Sequence, residues 1–104
     1  TFPMKGNAGY CATKGALNMV IRQCAAEFGP EVTVNGIGPT VTMTPMMVNI
    51  VPEEAKAGIA ASVPMQRMQV PADCAGPAVF LASEASGYVT GQILYVDGGL
   101  TAIG

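Results

Sequence analysis

Residues 10–28 read Tyr10-Cys-Ala-Thr-Lys14-Gly-Ala-Leu17-Asn-Met-Val20-Ile21-Arg-Gln-Cys24-Ala25-Ala-Glu-Phe28. The apolar residues Leu17, Val20, Ile21, Cys24, Ala25 and Phe28 recur at spacings of three and four, which draws one stripe along a helix. Gly29 and Pro30 stop it. Val32 to Ile37 is short and β-branched and is expected as a buried strand ending at Gly38-Pro39. A Thr- and Met-rich stretch, Thr40 to Met47, leads into Pro52 to Met68, which is weakly periodic and has room for one or two short helices. Pro71 to Ser83 is expected as a helix with Asp73 in its first turn and Ala75, Ala78, Val79 and Ala82 on one face. Pro77 sits inside it, where a proline removes a backbone hydrogen bond. Gln92 to Val96 is a second strand, closed by Asp97-Gly98-Gly99, a turn with a structural role. The order helix, strand, irregular insert, helix, strand is that of the last units of a parallel α/β sheet.

The bulk composition fits one such unit. At 104 residues the chain holds at most one domain, and a chain of this size buries only about two-thirds of its unfolded surface. Half of it is hydrophobic and 12% is charged, which excludes a disordered segment and describes a piece that needs neighbours. Net charge is -2, and the five Lys and Arg are scattered, so the convergent cations that phosphate neutralisation needs are missing and nucleic acid is not an expected partner. No apolar run approaches the ~20 residues that cross a bilayer, and Thr1 to Gly6 lacks the pattern of a signal peptide. A cytoplasmic protein without a membrane partner is expected. Cys11, Cys24 and Cys74 lack metal-like spacing and read as core thiols rather than disulfides or zinc ligands. The absence of histidine removes every imidazole-dependent triad and metal site. Thr rather than Met at position 1 is expected of a fragment or a processed piece.

Tyr10 and Lys14 are four residues apart, about one helical turn, and extend the apolar stripe backwards. A lysine on that face must be paired or must line a cleft. A phenol titrates near ~10, and a neighbouring cation favours its phenolate. Together they form a proton donor and acceptor suited to a carbonyl/alcohol couple, although a snorkelling lysine beside a packed tyrosine has the same spacing.

The surrounding residues narrow the choice. Tyr10-Cys-Ala-Thr-Lys14-Gly-Ala-Leu17 resembles the Tyr-x-Ala-Ser-Lys-x-Ala-Leu segment of the short-chain dehydrogenase/reductase family, and Val32-Thr-Val-Asn35-Gly-Ile-Gly-Pro39 resembles its Arg-Val-Asn-x-Ile-x-Pro strand. Phe80-Leu-Ala-Ser-Glu84-Ala-Ser86, with Tyr88-Val-Thr-Gly91-Gln92 and Val96-Asp97-Gly98-Gly99, resembles its C-terminal signature. The resemblance runs in family order from Gly9 to Gly99. It implies a doubly wound, Rossmann-like parallel sheet, of which residues 1–104 supply the last two strands with their helices as the C-terminal catalytic and substrate-binding portion. The half that carries the glycine-rich phosphate turn, and the serine that polarises the substrate carbonyl, would lie upstream.

The implied reaction interconverts a secondary alcohol and a ketone with NAD or NADP, and requires that missing half. Tyr10 would be the acid/base, and Lys14 would lower its pKa and bond the nicotinamide ribose. Pro39, Thr40, Thr42 and Thr44 would line the nicotinamide-facing loop. The family usually has Pro-Gly where this chain has Pro39-Thr40, and a positive φ there would strain a threonine. Pro45 to Met68 matches the variable substrate region, where Met43, Met46, Met47, Met65 and Met68 serve as pocket lining or as adaptable filling. A small-molecule substrate, a sugar or polyol ahead of a 3-oxoacyl thioester, and a homo-oligomer, dimer or tetramer, are the implied partners. The alternative is a non-catalytic truncated module that self-associates without binding cofactor.

Overall fold

The computed structural model describes residues 8–40 and 49–103, with the side chains of 12–40 and 49–103. Helix α1 spans Ala8–Phe28, strand β1 Gly36–Pro39, helix α2 Glu53–Ser62, helix α3 Ala72–Ala82, strand β2 Ile93–Val96 and helix α4 Leu100–Ile103, with a 3-10 turn at Glu84–Ser86. β1 and β2 pair in parallel, Gly36 opposite Ile93 through Pro39 opposite Val96. This is the expected α/β unit.

α1 covers the sheet with the face that carries Lys14, Asn18, Ile21, Cys24 and Ala25, all buried or half-buried. That stripe repeats every three or four residues, as a helix on a sheet must. Two strand glycines allow the close approach. A Cβ on Gly36 would stand 2.8 Å from Ile21 Cδ1 and 2.9 Å from Ile93 Cδ1, and one on Gly38 would stand 2.6 Å from Tyr95 Cδ1. Farther along α1, Ala25 Cβ lies 3.4 Å from the Cβ position of Gly91, which precedes β2. Moving toward the C-terminus of α1 therefore moves toward the amino ends of the strands, so α1 runs antiparallel to them.

Three expectations are corrected. The first strand begins at Gly36, not Val32. The preceding residues are held by side chains instead: the Val34 N–H donates to Thr90 Oγ1 (3.0 Å), Asn35 Nδ2 donates to the Val89 carbonyl (2.9 Å), and the Gln92 N–H donates to Asn35 Oδ1 (3.1 Å). In α3 the covered residues are Asp73, Cys74, Pro77 and Leu81, whereas Ala75, Ala78, Val79 and Ala82 are exposed. The helix is apolar on both sides, with Asp73 its one charge, so periodicity alone did not say which side meets the sheet. In α1 the stripe is covered only in part, since Leu17, Val20 and Phe28 are about half exposed while Ile21 and Ala25 are buried.

The buried apolar residues among those described are Ile21, Ala25 and Val63. A helix apolar all round is ordinarily covered on every side, yet Val79 of α3 is 68% exposed. The radius of gyration, 15.6 Å, exceeds the ~13 Å of a compact domain of this length.

Candidate functional site

Open parallel sheets bind ligands at the carboxyl ends of their strands, and here those ends converge on Gln69. Its amide is buried. Oε1 accepts the Thr40 N–H at 2.8 Å, just past β1. Nε2 donates to the Val96 carbonyl at the end of β2 and contacts Cys74 Sγ at 3.5 Å. One planar amide thus joins two strand ends to the start of α3.

Beside it, Arg67 forms a two-pronged pair with Asp73 (2.8 and 2.9 Å), whose Oδ2 also accepts the Val70 N–H at 2.8 Å. The guanidinium hydrogen bond, aided by the Val70 amide, lowers the Asp73 pKa to about 2. Asp97, buried after β2, accepts Thr101 Oγ1–H at 2.6 Å, the Gly99 N–H at 3.0 Å and the Thr101 N–H at 3.2 Å. The hydroxyl, ahead of the two amides, holds this carboxyl below its usual range. Gly98 and Gly99 take φ of 64° and 93°, which side-chain-bearing residues rarely adopt. A Cβ on Gly99 would stand 2.9 Å from Pro64 Cγ. The turn therefore seats α4 and clamps Pro64.

These groups border a cavity of about 450 Å³, lined also by Thr40, Val63, Met65 and Tyr95, within the range of small-molecule sites. Among the described residues, no cluster of three or more His, Cys, Asp or Glu could hold a metal ion.

Of the residues singled out from sequence, Pro39 is exposed and Thr40 half-buried at this end of β1. Gln66 is the one non-glycine at positive φ among the described residues, so Thr40 stands in place of glycine without backbone strain. Thr42 and Thr44, with Met43, Met46 and Met47, lie outside the described residues, and the side chain of Tyr10 does also. Lys14 is half-buried. The contact of Ile21 with Gly36 places it along the sheet: seven helical residues back is about 10 Å, and Gly36 to Pro39 is also about 10 Å. Lys14 is therefore level with Pro39 and Thr40, and position 10 lies one turn farther toward the carboxyl side. Sequence reasoning missed the Gln69 amide and the pairing of Arg67 with Asp73, because an uncharged amide and an ion pair across a loop leave no periodic trace.

Thr40 and the strand ends border a cavity with room for the nicotinamide end of a dinucleotide. A glycine-rich phosphate turn is absent from this sequence, so these residues fit that end alone.

A family model described as enoyl-(acyl carrier protein) reductase matches residues 2–101. Glucose 1-dehydrogenase of Gluconobacter oxydans is 40% identical over 99 residues, 92% of this chain and 37% of that protein. Gluconate 5-dehydrogenase from Burkholderia cenocepacia J2315, solved in complex with NADP and tartrate, superposes with a TM-score of 0.81 at 34% identity, covering 91% of this chain and 38% of that one. A glucose/ribitol-type short-chain dehydrogenase/reductase from Brucella melitensis gives 0.83 at 33% identity, covering 93% and 39%. The chain spans about two-fifths of the length of the relatives it matches, and its parallel strands belong to a doubly wound, Rossmann-like sheet.

Proposed function

The chain belongs to the short-chain dehydrogenase/reductase family, and on that premise we propose that it forms the C-terminal catalytic and substrate-binding portion of an NAD(P)-dependent oxidoreductase interconverting a secondary alcohol and a ketone. The observation that carries this reading is the carboxyl end of β1 and β2, where Thr40 and the strand termini border a cavity. Tyr10 gives its phenolic proton to the carbonyl oxygen in reduction and takes the alcohol proton in oxidation. Lys14 favours the phenolate by its charge and bonds the ribose of the nicotinamide nucleotide. Pro39, Thr40, Thr42 and Thr44 flank the nicotinamide, which when bound supplies or accepts the hydride. Residues elsewhere in the complete domain hold the phosphates.

A sugar or polyol is the proposed substrate class, supported by the relatives named for glucose and gluconate. We place the protein in the cytoplasm; no helix among the described residues is long and apolar enough to cross a membrane. A homo-oligomer, dimer or tetramer, is supported by the exposed Leu17, Met19 and Val20 of α1. The test is Tyr10→Phe in the complete protein: turnover falls by at least about a hundredfold, and turnover near the wild-type rate would sink the assignment.

The same exposed apolar residues favour a second reading, a self-associating module without cofactor. Saturable binding of NAD(P)H by the protein rejects it.

A further inference from the structure

We propose that Gln69 is a positioning residue for the nicotinamide end of the cofactor, acting through Thr40. The inference rests on the oxidoreductase reading and names a residue which that reading does not require.

Its orientation is fixed by its partners. The Val96 carbonyl can only accept, so the amide nitrogen faces it, and the oxygen faces the Thr40 N–H. Thr40 is the first residue beyond β1 and borders the cavity. Gln69 reaches it from 29 residues away in sequence, while its other end is anchored on β2 and α3. Thr40 therefore takes its place from the far strand as well as from its own. Both residues that Gln69 bonds at the strand ends, Thr40 and Val96, border the cavity, so the amide holds the rim of the cavity as well as the strands. Apolar replacement removes the acceptor of the Thr40 N–H and the donor to the Val96 carbonyl, so Thr40 shifts at the rim of the cavity. Misplacement of a binding group by about 1 Å costs up to about a hundredfold.

Three readouts test this in the complete protein: the dissociation constant for NAD(P)H by fluorescence titration, kcat and KM with saturating alcohol, and hydrogen exchange of the Thr40 amide. Gln69→Leu raises the nucleotide dissociation constant and KM about tenfold or more, the effect of one lost buried hydrogen bond. In the same variant kcat changes less than about threefold, and Thr40 exchanges faster.

Gln69→Glu serves if the leucine variant does not fold. When protonated, its carboxyl accepts from Thr40 and donates to Val96, so its defect shrinks as pH falls. Arg67, Asp73, Asp97 and Tyr95 border the same cavity and Cys74 Sγ touches Gln69, and the wild-type profile run in parallel serves as the baseline for these groups. Unchanged nucleotide affinity in both variants, or unchanged Thr40 exchange, overturns the proposal, as does failure of the wild-type protein to bind nucleotide. Nucleotide binding that depends on Gln69 in a protein without alcohol or ketone turnover removes the oxidoreductase reading and leaves the role of Gln69 standing.

Discussion

The two ends of the β1–β2 ladder are fastened by different means. At the amino end the strands fasten each other: Asn35 bonds both Val89 and Gln92, Thr90 takes the Val34 amide, and the Gly91 N–H donates to the Val34 carbonyl at 2.7 Å. A shallow cleft borders Thr33, Asn35 and Ile37 there, against α3, but among the described residues no side chain from a third segment ties that end. At the carboxyl end the tie comes from a third segment, through Gln69, and Asp97 is occupied with its own turn. The strands are held from the side, and a cavity remains between the groups that hold them. An end closed by its own strands serves stability, whereas an end propped from outside can serve a ligand.

Several substitutions can break or sharpen that contrast. The largest stability loss is expected of Asp97→Ala, which leaves the Gly99 and Thr101 donors without their carboxylate; about 2–3 kcal/mol is the scale for hydrogen bonds to a charged group, read by denaturant unfolding. Asn35→Ala should cost about 1–3 kcal/mol through the unpaired Val89 and Gln92 groups, with nucleotide affinity unchanged. A parallel loss of affinity in that variant would erase the distinction between the ends.

Gly99→Ala meets both a φ of 93° and Pro64, a strain of about 1–3 kcal/mol, visible as a lower melting temperature. The smallest effect belongs to the exposed Arg67–Asp73 pair, and it is present at neutral pH and lost in acid. A carboxyl whose pKa is depressed on folding contributes stability above its unfolded value, near 3.8, and loses it as pH falls toward its folded value of about 2. Arg67→Ala should therefore lower stability slightly at neutral pH, leave it unchanged below about pH 2, and so flatten the acid limb between those values.

The sequence disclosed unequal parts of this. α1 was legible because its stripe, its Gly29-Pro30 stop and its Tyr10/Lys14 spacing are all local. The β2 strand and the Asp97-Gly98-Gly99 turn were legible for the same reason, the turn requiring φ values that glycine supplies. The start of β1 was misplaced because Val32 and Val34 carry strand propensity while the Val32 N–H donates to the Phe28 carbonyl and the Val34 N–H to the Thr90 hydroxyl, a tertiary choice. α3 showed its existence but not its inward face, being apolar on both. Gln69 was invisible, since Cys74, Val96 and Thr40, which it touches, lie five to 29 residues away and nothing nearby in sequence marks it.

The contrast between the ends is tested most directly by backbone amide chemical-shift mapping of the complete, isotope-labelled protein on addition of NAD(P)H. The account predicts that the shifts concentrate on the Lys14 turn, Thr40, Gln69 and Tyr95 to Gly99, and spare Val34, Asn35 and Val89 to Gln92. Shifts concentrated on the Asn35 end, or none at either, would contradict it.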